Sequence, residues 1–141
     1  MKKMKEISLS WRGSKKPKKQ RKFRANAPLH VRHRLVKIHL SKQLREKHNR
    51  RSMSPRVGDK VKVLRGRFKG KEGALRAVNL KRLKVSVNGL EISKNDGTKV
   101  FPLIDPSNLL IVELKLDDKA RVKILERKKT ENGKKTSKAA R

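Results

Sequence analysis

The segment from Arg56 to Gly73 constrains the fold more than any other stretch. Val57, Val61 and Val63 stand on alternating positions with Lys60 and Lys62 between them, the period of a strand with one buried face. Gly58-Asp59 opens that strand through a tight turn. Gly66, Gly70 and Gly73 then permit backbone bends that a side chain would obstruct. Between the glycines stand Arg65, Arg67, Lys69 and Lys71, so these loops present cations rather than catalytic groups. Glycine also lets a phosphate backbone come close.

The same pattern runs on to Leu114. Ala74–Val78 and Leu83–Val87 read as strands around a basic turn at Asn79-Leu80-Lys81-Arg82. Asn88-Gly89 predicts a type I′ hairpin, whose two central residues both need positive φ. Leu90–Ser93, the polar tip Lys94-Asn95-Asp96-Gly97-Thr98, Val100–Leu103 and Leu109–Leu114 complete the set, with a turn at Asp105-Pro106-Ser107-Asn108. Roughly five short strands over this span predict a small, partly open barrel, so the fold class is mainly β.

Charge decides the class of partner. The chain carries 43 Lys+Arg against 12 Asp+Glu, a net charge of +31. Such self-repulsion argues against a free-standing metabolic enzyme and for a chain that lives on a polyanion, nucleic acid above all. Cysteine is absent, which excludes disulfides, thiol catalysis and Cys-ligated zinc. No apolar run approaches the roughly 20 residues needed to cross a bilayer, and no apolar segment follows the basic N-terminus as a secretory signal requires. A membrane partner, a cofactor and a small-molecule substrate are not expected. His30 and His33 are spaced i,i+3 but lack a cysteine or nearby carboxylate, so phosphate contacts or packing are expected there rather than a metal. Asp59 and Glu72 make no acid–base pair, and no catalytic residue is expected.

The basic charge is densest before the barrel: residues 1–56 hold 20 basic and 2 acidic side chains. Residues 1–27 have no useful hydrophobic period, which predicts an arm unstructured in isolation that orders on nucleic acid. Residues 28–50 read as a helix, with Pro28 in its first turn and Asn26 as cap. Leu29, Val36, Leu40 and Leu44 fall on one stripe, and Val31, Leu35 and Ile38 on a second. A helix with two apolar faces and basic flanks suits a wedge between protein and RNA. Asn49 to Pro55 reads as a linker. Residues 116–129 read as a second helix, with Asp117 and Asp118 at its N-terminus and Leu116, Ala120 and Ile124 every four residues. The expected organisation is a basic arm over 1–27, helix and linker over 28–55, barrel over 56–115, and C-terminal helix with basic tail over 116–141.

The Arg56–Gly73 segment resembles the KOW motif, which implies an SH3-like barrel and an RNA contact. Asn26-Ala27-Pro28-Leu29-His30 and Leu40-Ser41-Lys42-Gln43-Leu44-Arg45-Glu46-Lys47 precede it, and Asp96-Gly97-Thr98 and Pro106-Ser107-Asn108-Leu109-Leu110-Ile111-Val112-Glu113-Leu114 follow. In that order, over residues 15–128, the chain resembles the large-ribosomal-subunit family numbered twenty-four in bacteria and twenty-six in eukaryotes, in its archaeal and eukaryotic form. The resemblance implies a structural, non-catalytic protein in the cytoplasmic ribosome. It implies binding to large-subunit rRNA near its 5′ region early in assembly, and a place near the polypeptide exit tunnel. Implied partners are large-subunit rRNA, neighbouring ribosomal proteins and nascent-chain factors at the tunnel exit.

The candidate rRNA contacts are Lys15, Lys16, Lys18, Lys19, Arg21, Lys22 and Arg24 in the arm. Arg32, Arg34 and Lys37 follow on the helix, and Arg50, Arg51 and Arg56 in the linker. On the barrel they are Arg65, Arg67, Lys69, Lys71, Lys81 and Arg82. Trp11 and Phe23 are candidates for base stacking, or for packing on protein. Two rivals share the charge. An elongation factor with a KOW domain would also need a polymerase-binding domain, and a generic chromatin protein would not need the barrel.

Overall fold

The computed structural model describes residues 8–127. A 3-10 turn at Leu9–Gly13 leads into α1 (Pro17–Asn26) and α2 (Leu29–Leu35). Then come β1 (Ile38–Leu40), α3 (Lys42–His48), β2 (Ser52–Met53), β3 (Lys60–Val63), β4 (Glu72–Asn79) and β5 (Lys84–Val87). β6 (Ile92–Ser93), β7 (Lys99–Val100), a second 3-10 turn at Pro106–Asn108 and β8 (Leu109–Glu113) follow. Residues 119–127 form a last helix, α4. The remainder of the basic tail, with Lys128 and Lys129, and residues 1–7 of the arm lie outside the described residues.

Six strands make one mixed sheet in the order β2-β1-β8-β3-β4-β5, and β6-β7 form a separate two-stranded sheet. A bridge from Val85 to Ile104 extends the pairing beyond β5. The alternation holds for Val61 and Val63, which are buried while Lys60 and Lys62 reach outward to Glu113 and Glu72; Val57 does not join them, because it lies in the turn before β3 and is exposed. With Leu75, Val85, Val87, Leu109 and Ile111, Val61 and Val63 form the core. Full burial of each such side chain stabilises by about 1.5–3 kcal/mol.

The single helix expected over 28–50 is not there. α2 stops at Leu35, and Val36 to Leu40 is extended. Val36, Leu40 and Leu44 fit a helical stripe, but Val36, Ile38 and Leu40 also fit period two. The strand wins because it buries all three at 0–1% exposure, while Lys37 stays outside. In a helix Ile38 would point away from Val36. β1 also finds partners on both edges: antiparallel to β2 and parallel to β8, with His39 opposite Leu110 and Leu40 opposite Ile111. The linker therefore contains a strand, β2. Ser41 ends β1 and caps α3, accepting from the Leu44 N–H. Asn49, at φ 51°, closes α3 in the left-handed region.

Three further expectations change. Residues 17–26 are helical despite lacking an apolar stripe; Pro17 starts α1 and Phe23 and Ala27 are buried, which helps to anchor it. Asn26 ends α1 instead of capping α2. Asn88-Gly89 turns the chain, but only Gly89 has positive φ, so the turn is not type I′ and joins no paired strands. β5 pairs with β4, and β6 pairs with β7. A Cβ on Gly73 would collide with the Asn88 carbonyl oxygen. The glycine there lets the turn after β5 close against β4.

Candidate nucleic-acid interface

Three groups of cations stand on different elements. The β3–β4 loop carries Arg65, Arg67, Lys69 and Lys71, all exposed. The Val63 carbonyl accepts from the Gly70 N–H at 2.8 Å, and the Gly66 carbonyl from the Lys69 N–H at 3.0 Å. Gly66 and Gly70 adopt φ 91° and 86°, so the loop is folded back on itself with its side chains outward. Phe68 packs on the core, and the Lys71 ammonium lies 5.6 Å from its ring.

The second group is the α1 arm. Lys15, Lys16, Lys18, Lys19, Arg21, Lys22 and Arg24 are exposed. The Lys22 ammonium lies 4.9 Å from the Trp11 ring centre, a cation–π contact that holds the half-buried indole against α1. Gln20 fastens the same turn, donating to the carbonyls of Trp11, Arg12 and Ser14. Phe23 is 3% exposed, so its face packs on protein and is not offered to a base.

The third group runs from α2 to the β4–β5 turn, and Arg32 assembles it. Its Nε donates to the Ala27 carbonyl at 2.8 Å. Nη1 donates to the Lys81 carbonyl and Nη2 to the Ala25 carbonyl, both at 2.7 Å. This guanidinium is a tether between the arm and the β4–β5 turn of the sheet. Arg24, Lys37 and Arg82 stand around one cavity of about 390 Å³, together with Asp105, Pro106 and Ser107. The Asn108 carbonyl, in the same 3-10 turn as Pro106, accepts from the Leu64 N–H at the foot of the β3–β4 loop. The turn thus joins the arm to the loop. A second cleft, on the other side of Lys37, collects Arg34, Arg50 and Arg56. Arg51 and Lys81 are exposed beside these groups.

Several acidic side chains pair with lysines outside the candidate set, Asp105 doing so at the rim of the cavity it lines. Glu72, Glu91, Asp105, Glu113 and Asp117 pair with Lys62, Lys99, Lys84, Lys60 and Lys115 at 3.0–3.7 Å. Among the described residues, Arg56 is the one candidate cation in an ion pair, 2.6 Å from Asp118. No other candidate is in an ion pair among the described residues. Asp59 and Glu72 are engaged within the fold: Glu72 is bonded to Lys62 at 3.0 Å, and Asp59 accepts from four donors. Among the described residues no cluster of three or more His, Cys, Asp or Glu side chains can hold a metal. No helix among them is long and apolar enough to cross a membrane.

Two structural residues have no signal in the sequence. Arg121 reads as one more helix cation, yet it is buried against Asp59. Arg76 lies on β4 with its guanidinium 3.7 Å from the Phe101 ring centre.

The family model for ribosomal proteins, L26 in eukaryotes and its L24 counterpart in archaea, matches residues 14–128. A curated relative from Methanosphaera stadtmanae, "Large ribosomal subunit protein uL24", is 48% identical over 115 residues. That alignment covers 82% of this chain and 98% of the relative.

Proposed function

This chain belongs to the ribosomal protein family of eukaryotic L26 and its archaeal counterpart, and from that premise we propose that it is a structural, non-catalytic component of the large subunit that works by binding rRNA. The observation that carries the reading is the separation of charge. Arg65, Arg67 and Lys69 project from one loop with no ion pair among the described residues, and Arg24, Lys37 and Arg82 converge on one cavity whose single carboxylate, Asp105, is paired with Lys84.

A folded rRNA supplies the missing counter-charge, and the release of its condensed counterions drives binding. Recognition is of shape, since side chains cannot read the deep major groove of A-form RNA. On this reading the six-stranded sheet is an SH3-like barrel of the KOW type, and the β3–β4 loop is its RNA-facing edge. The protein joins large-subunit rRNA near the 5′ region early in assembly, in the cytoplasmic ribosome. It sits near the polypeptide exit tunnel among other large-subunit proteins, with nascent-chain factors as neighbours.

Gradient fractionation in high salt tests this. Co-sedimentation of the full chain with large subunits is expected. Recovery with RNA polymerase points to an elongation factor, and recovery with DNA to a chromatin protein; either contradicts the proposal.

A further inference from the structure

We propose that the cleft between α2, β2 and α4 seats a single unpaired rRNA nucleotide swung out of its stack. The proposal rests on the RNA-binding reading above and adds a specific site to it. The cleft encloses about 380 Å³, within the roughly 300–1,000 Å³ typical of small-ligand sites.

Its walls have two chemistries. One is cationic. Arg34, Lys37, Arg50 and Arg56 line it, and its one carboxylate is Asp118, already bonded to Arg56. Arg34, Lys37 and Arg50 have no acidic partner among the described residues. Arg121 also lines the cleft, with both Nη groups turned to Asp59. The Nε–H groups of Arg50 and Arg121 are buried without an acceptor. A buried donor left unpaired is costly, and native structures supply it with a partner. Arg34, Lys37 and Arg50, lining one cleft without an acidic partner among the described residues, call for a ligand rich in anionic oxygen.

The other wall is apolar, made by Met53, Ala120 and Ile124. Ile124 is 37% exposed. A bare phosphate gains nothing from that wall, and a paired base cannot reach it. An extruded nucleotide satisfies both, with phosphate and sugar oxygens on the cations and the flat base on Met53 and Ile124. RNA-binding proteins take unpaired bases in this manner, and extrusion is least costly where the base is already unpaired.

The chain has no cysteine, so Ile124→Cys provides a unique attachment point for a benzophenone photo-crosslinker on the full-length protein. Bound to large-subunit rRNA, it should cross-link to one unpaired position. The same probe on Val100→Cys, on β7, should not reach that position. Ala120→Trp fills the cleft without changing charge. It should abolish the Ile124 cross-link, expose that nucleotide to base-modifying reagents and weaken binding roughly tenfold, with native circular dichroism. Cross-links to paired nucleotides, to a neighbouring protein in the assembled subunit, or to nothing while RNA stays bound would overturn the site. If the unmodified chain does not bind rRNA at all, the broader reading falls with it.

Discussion

Arg121 closes on Asp59 with two parallel hydrogen bonds of 2.7 Å, across 62 residues of sequence, where the side chains are 4% and 0% exposed. Asp59 also accepts from the backbone N–H groups of Arg56 and Lys115, at 2.9 and 3.0 Å. Arg121 adds the Lys115 carbonyl at 2.8 Å. The pair fastens α4 to the turn that opens β3, and Leu125 follows it into the core.

Arg121→Met leaves a buried carboxylate without its counter-charge and should cost about 3–5 kcal/mol. Arg121→Lys should recover only part, because an ammonium cannot make the two-pronged contact. Urea unfolding of the full chain measures both. Equal stability of the methionine variant and the natural chain would show that the pair does not hold α4.

Arg32 is a tether to three carbonyls. Arg32→Ala should destabilise by about 1–2 kcal/mol and speed proteolytic removal of the arm while the barrel survives. It should leave the salt dependence of rRNA binding unchanged. A slope shallower by about 0.9 would make Arg32 a phosphate ligand instead.

Reversing charge at Arg65, Lys69 and Lys71 together should leave circular dichroism native, since all three are exposed. If each meets a phosphate, rRNA affinity drops and the slope of log K against log salt flattens by about 2.7. Unchanged affinity in a folded variant would place the RNA on another face.

At the β6–β7 tip, Thr98 donates to Asp96 Oδ1 from its hydroxyl at 2.7 Å and from its backbone N–H at 3.2 Å. The hydroxyl first, and then the N–H, hold the Asp96 carboxyl below the usual carboxylate range. A lowered value means that the tip's order is favoured above that range and lost as pH falls through the lowered midpoint. Carboxyl NMR titration should show this, and Thr98→Val should raise the midpoint. No change on substitution would deny Thr98 that role.

The central strands β3 and β8 were legible because their signal is local. Val61 and Val63 alternate with lysines, and Leu109 to Val112 forms an apolar run preceded by a proline turn. β1 was not, because Val36, Leu40 and Leu44 satisfy a helical period as well as Val36, Ile38 and Leu40 satisfy a strand's. Only pairing with β8, some 70 residues away, decides between them. α1 shows no amphipathic stripe, since Phe23 is its one buried residue and polar contacts from Gln20, Lys22 and Arg32 hold the rest. Exposed and tethering arginines look alike in sequence: Arg34 stays exposed at the cleft, while Arg32 and Arg121 are bonded to carbonyls and a carboxylate.

The central claim is that uncompensated cations bind by neutralising rRNA phosphates, and its most direct test is the affinity of the full chain for the 5′ region of large-subunit rRNA across a salt series. Contact with about ten phosphates predicts a slope of log K against log salt near −9 on a duplex-like site. An affinity that barely responds to salt, with a slope shallower than about −3, would contradict it.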